Sequence, residues 1–283
     1  MADDTSPDHA GADAIPPVTW VEHTASTQQA VLERIAAEAG QWPHLRALAT
    51  VDQRAGRGRR GRDWTAPAGT AVSVSVVVRP DLPVELFSWV TLVTAAATAG
   101  ELQRRGIPAR AKWPNDVLAE DGRKLCGILA SVLPDQSGLV LGLGLNLDFG
   151  AHGAPVPTAT AMADWLPVGQ SPEPAEVLGG LLRALGRAMD DFCVCVRANP
   201  GEVDGTHPAP QAVITRMATL GTAVRAHLAD GSELEGTARG LGPGGTLLIE
   251  PADRDAMGTG IVGATRRGEL LEVSAADVVH LRR

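Results

Sequence analysis

Tyrosine is absent from this chain of 283 residues, and the remaining aromatics are few, three Phe and six Trp. Cysteine is nearly as scarce. Cys126, Cys193 and Cys195 make neither a disulfide framework nor a metal-ligand pattern, so the reduced, cytoplasmic compartment is expected. No apolar run reaches the ~18 residues of a membrane span. The N-terminus carries acids where a secretion signal needs bases, so none is expected. Cations are in the minority too, 25 Lys and Arg against 33 Asp and Glu, a net charge of −8. That balance argues against wrapping nucleic acid, whose affinity depends on many phosphate-neutralising cations.

What the chain does have is apolar residues, 44% of the total, enough for one large domain plus a small module. Residues 1–17, with four Asp, no Lys or Arg, and Pro16-Pro17, read as a disordered acidic tail. A helix is expected from Thr24–Gly40, with Ser26 and Thr27 able to cap it. Leu45–Val51 reads as a buried strand, and Ala71–Val78 alternates, valines on one face and Ser73 and Ser75 on the other. Long amphipathic helices are expected over Val84–Arg104 and Glu176–Val196, with strands at Ala109–Trp113, Lys124–Leu133 and Leu139–Leu147. Residues 150–174 are loop. After Gly221 the pattern turns to short strands and tight turns, the signature of a small antiparallel barrel. The expected divisions are therefore 1–17, 18–219 and 220–283.

Five segments carry candidate chemistry. Arg54–Trp64 packs five arginines and three glycines into one loop. Arginine grips carboxylate or phosphate through a planar fork, and glycine lets the backbone approach closely and stay loose. Such a loop suits a small, highly charged ligand, or it is a solvated basic loop or an RNA contact. Lys112-Trp113-Pro114-Asn115-Asp116 sets a cation, an amide and a carboxylate where proline stops a strand, or is an ordinary Asn-Asp turn. Arg123–Leu129 places Lys124 just before a buried strand, where a lysine usually only snorkels. Gly142-Leu143-Gly144-Leu145-Asn146 puts two glycines on one strand face, which clears room for something flat, or is plain strand glycine. Ser26–Gln29 gathers small polar groups at a helix start, as a ligand contact or a plain cap.

Taken together and in this order, these segments resemble a biotin protein ligase of the group without a DNA-binding domain. The resemblance runs over roughly residues 20–283, since Gly240–Leu248 is also similar to that family's small barrel. The GRGRRGR-x-W and KWPND pair is the specific part. The resemblance implies an α+β fold, a mixed sheet with packed helices like those of class II aminoacyl-tRNA synthetases and lipoate ligases, followed by an SH3-like barrel. It implies that the carboxylate of biotin attacks the α-phosphate of ATP, giving biotinyl-adenylate and pyrophosphate. A lysine of the biotin carboxyl carrier domain of an acyl-CoA carboxylase then takes the acyl group. DNA and membrane are not expected partners, and the expected assembly is a monomer or weak homodimer. Lipoate or octanoyl transfer on the same architecture is the nearest alternative reaction.

The roles the resemblance implies follow electrostatic need, because two anions must be held together while they react. Lys124 bridges the carboxylate and α-phosphate, with Arg59 and Asp116 beside it. Biotin is expected against Ser26, Thr27, Gln28, Gln53, Arg57, Gly58, Arg59, Trp64, Lys124, Gly127, Gly142 and Gly144. ATP is expected against Arg59, Arg62, Trp64, Lys112, Asn115, Asp116, Lys124 and Asn146. No protein-held metal is expected; Mg²⁺ comes with ATP, with Asp116 as its candidate neighbour. Gln28 stands where many relatives have asparagine, and Arg54 where many have glutamine.

Overall fold

The structure, a computed structural model, describes residues 16–228, 230–253, 264–274 and 276–281. Its main sheet begins directly after the acidic segment. The Pro17 carbonyl accepts a hydrogen bond from Ala47, and β1 (Val18–Trp20) follows directly. The rest of the expected tail, residues 1–15, lies outside the described residues.

Ser26 caps α1 (Thr27–Ala37), accepting from the Gln29 N–H, as its position before the first helical turn demands. The chain then enters β2 (Ala47–Thr50), a two-strand hairpin of β3 (Gly56–Arg57) and β4 (Asp63–Trp64), and β5 (Ala71–Val78). A single helical turn over Val84–Leu86 leads into α2 (Phe87–Arg104). Three strands follow, β6 (Ala109–Lys112), β7 (Asp116–Ala119) and β8 (Lys124–Val132), then β9 (Leu139–Asn146). The seven sheet strands lie in the order β1-β2-β5-β9-β8-β7-β6, with β1–β2 parallel and the other neighbours antiparallel. The sheet is therefore mixed, as expected.

Every residue of β5 is buried, including Ser73 and Ser75, because helices cover both faces. Val72, Val74, Val76 and Val78 pack towards α2 and α3 (Pro174–Ala198), while Val77 packs with Val31 under α1. Alternation marked the strand but not its two-sided burial. The expected loop over 150–174 holds only short helical turns. A short helix α4 (Gln211–Arg216), which periodicity does not reveal, closes the first layer.

The C-terminal region is a second sheet of six antiparallel strands. These are β10 (Ala223–His227), β11 (Glu233–Leu241), β12 (Leu247–Pro251), β13 (Ala264–Arg267), β14 (Leu270–Val273) and β15 (Asp277–His280), ordered β13-β14-β12-β11-β10-β15. Among the described residues β13 and β15 are its two edges, so the sheet is open rather than a closed barrel. It does not dangle from the first sheet. One hydrophobic core includes Trp89 and Leu141 on one side and Val224, Leu247 and Val273 on the other. The buried Trp113 indole donates to the Gly245 carbonyl at 2.9 Å, and the Trp113 N–H donates to Thr219 Oγ1 at 2.9 Å. Gly245 takes a φ of +70°, and any side chain there would strike Leu92 of α2, with Trp89 in contact beside it.

Candidate active site

On the α1 face the helix leaves one end of the main sheet uncovered, and a cavity of about 520 Å³ opens there. Every residue singled out for biotin or ATP contact lines it: Ser26, Thr27 and Gln28 from α1 and its cap, Gln53, the hairpin residues Arg57, Gly58, Arg59, Arg62 and Trp64, the Lys112–Asn115–Asp116 turn, and Lys124, Gly127, Gly142, Gly144 and Asn146 on β8 and β9. That volume lies within the range of small-molecule sites, ~300–1,000 Å³.

Lys124 and Asp116 form its centre, with Nζ–Oδ1 at 2.6 Å. Asp116 lies directly across the β6–β7 pairing from Lys112 and so faces two ammonium groups. Burial lowers the pKa of Lys112 below the usual lysine value, and the nearby Lys124 adds to this while Asp116 opposes it. How Lys124 reaches the cavity is a matter of strand geometry. The β7–β8 register pairs Val117 with Cys126 but Leu118 with Lys124, so Leu125 is an extra residue, a β-bulge. A bulge shifts the face parity of a strand. A Cβ on Gly127 would lie 2.9 Å from Lys124 Nζ, so residues three apart share this face. Cys126, which strict alternation would set beside Lys124, is instead fully buried in the core. Burial pushes its thiol pKa up to about 12, which leaves it no thiolate to offer.

Gly127 and Gly144 are cross-strand partners, and the Trp64 ring lies over both. A Cβ at Gly144 would overlap the indole. Part of the room these glycines clear is thus filled by a residue of this chain. Lys124 Nζ sits 5.4 Å from the Trp64 ring centroid, a cation–π contact. The indole N–H is buried, with no hydrogen-bond partner among the described residues.

The polar groups around α1 are tied to one another. Gln53 Oε1 accepts from the Thr27 N–H at 2.9 Å and Oγ1 at 3.1 Å, and Ser75 donates to Thr27 Oγ1 at 2.9 Å. Gln28 Nε2 donates to the carbonyls of Leu129 and Val140, both at 3.1 Å. Asn146 is buried and donates to the carbonyls of Lys124 and Thr160, so it also holds the backbone of Lys124 in place. Asn115 Nδ2 bonds the Ile128 carbonyl, and its Oδ1 accepts from Arg59 at 3.4 Å.

The arginine segment, which the sequence presents as a loose loop, is the β3–β4 hairpin, Gly56 paired with Trp64 and Arg57 with Asp63. Arg60 takes a φ of +55° at its tip, and Arg54 pairs with Asp52 at the base. Burial lowers the Arg59 pKa, while the nearby Asp277 acts in the opposite sense. Sequence reasoning missed two groups at this cavity. Thr158 and Ala159 lie beside Lys124, whose N–H donates to the Thr158 carbonyl, and Asp277 and Val279 reach in from β15. Neither stretch carries a motif; only the fold brings them close. Among the described residues no three His, Cys, Asp or Glu side chains gather as a metal cage. No described helix is long and apolar enough to cross a membrane.

Comparison with known proteins agrees with this geometry. Residues 20–148 match the family model of the biotin/lipoate A/B protein ligase family. Over 267 residues the chain is 35% identical to a biotin--[acetyl-CoA-carboxylase] ligase of Mycobacterium tuberculosis, covering 93% of this chain and 88% of that protein. A ligase of the same name from Paracoccus denitrificans is 32% identical over 72% of this chain and 83% of its own length. Among solved structures, the Aquifex aeolicus biotin protein ligase in complex with biotin and ATP superposes with a TM-score of 0.69 at 21% identity, covering 94% of this chain and 99% of that one. By overall sequence likeness, with the fold in agreement, this chain belongs to the biotin protein ligase family.

Proposed function

We propose that this chain joins biotin to a lysine of a carboxylase's biotin carboxyl carrier domain, through biotinyl-adenylate formed from biotin and ATP. It is an ATP-dependent ligase. The observation that carries the reading is the meeting of Lys124, Asp116, Arg59 and Trp64 around one cavity with a glycine floor. The relatives named for acetyl-CoA-carboxylase ligation support the carrier as partner. We read residues 18–219 as the catalytic domain and 220–283 as an SH3-like module.

Lys124 Nζ, paired with Asp116 at the centre of the cavity, bridges the biotin carboxylate and the α-phosphate and offsets the charge that builds there as the oxygen attacks phosphorus. Arg59 and Lys112 meet the phosphates, and pyrophosphate leaves along the arginine hairpin. Asp116 then accepts a hydrogen bond from, or a proton of, the incoming lysine amine as it attacks the acyl carbon and AMP departs. Trp64 covers the apolar body of the ligand. Gln28, Gln53, Ser26 and Thr27 form a pre-bonded polar wall for the biotin head group. The donor set does not fit a resident metal, since Asp116 is already engaged by Lys124; Mg²⁺ would travel as the nucleotide's counter-ion.

The decisive experiment measures pyrophosphate release from ATP with biotin, with lipoate and with neither. Release that depends on biotin supports the reading. Release that prefers lipoate, or that ignores the acid supplied, rejects it.

A further inference from the structure

The arginine hairpin does not close on the catalytic sheet alone; its tip rests on the C-terminal sheet. Arg62 Nη2 lies 2.9 Å from Asp277 Oδ1, and Arg60 Nη1 lies 3.7 Å from Asp277 Oδ2. Arg60 Nη2 donates to the His227 carbonyl at 3.3 Å, and Arg59 Nη1 to the Ala276 carbonyl at 3.4 Å. His227 and Asp277 are cross-strand partners on β10 and β15, so all these acceptors belong to one corner of that sheet.

We propose that Asp277 is a positioning residue of the ligase reaction, its carboxylate pairing with Arg60 and Arg62 so that the hairpin stands closed with Arg59 directed at the nucleotide phosphates. This deepens the biotin–ATP reading and rests on it. The argument is one of charge. The cavity is lined by Arg57, Arg59, Arg62, Lys112 and Lys124 against Asp63, Asp116 and Asp277, five cations to three anions before any substrate enters. Three arginines within four residues repel one another at the hairpin tip, and Asp277 is the carboxylate that pairs with two of them. Arg59 Nη1 in turn stands between the Ala276 carbonyl and Asn115 Oδ1 at the cavity. The Arg62 side chain is 64% exposed, so this pair adds little to global stability. Its effect is on where the arginines stand before ATP arrives, and an ordered binding site spares the cost of ordering it on binding.

The test compares the parent with Asp277→Asn and Asp277→Glu. In the empty protein, trypsin cleavage after Arg59, Arg60 or Arg62 should run about threefold faster in Asp277→Asn, the size an exposed pair reaches. The KM for ATP should rise by a similar factor, with a smaller change in kcat and an unchanged melting temperature. Asp277→Glu should restore both. Cleavage and KM both within error of the parent would overturn the proposal. So would a fall in KM, which would make Asp277 a competitor of the phosphates. The cleavage arm needs no substrate, so it stands apart from failure of the ligase reading, which would show as no biotin-dependent pyrophosphate release from the parent.

Discussion

Lys124 and Cys126 stand two residues apart in entirely different surroundings, one ammonium at the cavity and one thiol in the core. The difference makes opposite predictions for their removal. Lys124→Ala should lower adenylate formation by two to three orders of magnitude, since one charge-placing group carries about 3 kcal/mol of transition-state stabilisation. Cys126→Ser should keep most of the transfer rate while costing about 1–3 kcal/mol of stability for a buried hydroxyl, read from chemical denaturation. An acyl-thioester trapped on Cys126 would contradict both assignments. A third substitution probes the floor. Gly144→Ala would push Trp64 off the sheet, because the added methyl overlaps the indole. It should weaken biotin binding at least tenfold and shift the tryptophan fluorescence; unchanged affinity would show that Trp64 moves freely. At this scale the sequence was nearly transparent: the unusual residues were the cavity residues. What it hid was that Gln28, Gln53 and Asn146 spend their amides on this chain's own backbone and side chains, because hydrogen-bond partners 14 to 112 positions away leave no local trace.

Among the elements, long and strongly patterned ones were legible. Ala71–Val78 is a strand to the residue, and both long helices end within a few residues of their periodic stretches. The hairpin β3–β4 was not, because two-residue strands have no period to read and five arginines suggest repulsion. Nor was the bulge at Leu125, since parity along a strand presumes the regular register that a bulge breaks. β15 was missed for a third reason: Asp277–His280 holds chemistry only in company with Arg60 and Arg62, more than 200 positions earlier. The hairpin carries its own prediction. With three glycines and a tip held largely by exposed ion pairs, it should yield to trypsin faster in the empty protein than with biotin and ATP bound. Equal rates under both conditions would refute substrate-linked tightening of the closed hairpin.

For the whole molecule, the coupling of the two sheets should show in its pH response. His280 of β15 lies 3.1 Å from Thr219 Oγ1, the same hydroxyl that accepts from the Trp113 N–H. Burial, with Lys112 adding to it, lowers the His280 pKa from 6.5 to about 4. The unfolded chain therefore binds a proton that the folded chain refuses between those values. Stability is full above pH ~6.5 and declines as pH falls towards 4. Melting temperatures over that range should drop less steeply for His280→Gln than for the parent; parallel curves would place the acid sensitivity elsewhere.

The lodging of Trp113 against Gly245 bears on anyone wishing to shorten this protein into a compact labelling reagent. Cutting after residue 219 would strip the indole of its acceptor, uncover Trp89 and Leu92 where Gly245 rests, and deprive the arginine hairpin of the carboxylate its tip leans on. The trimmed piece would be sticky as well as slow. A smaller reagent would have to be found by shortening the 150–174 segment away from Thr158 to Thr160, which carry Lys124 and Asn146, and not by amputating the second sheet.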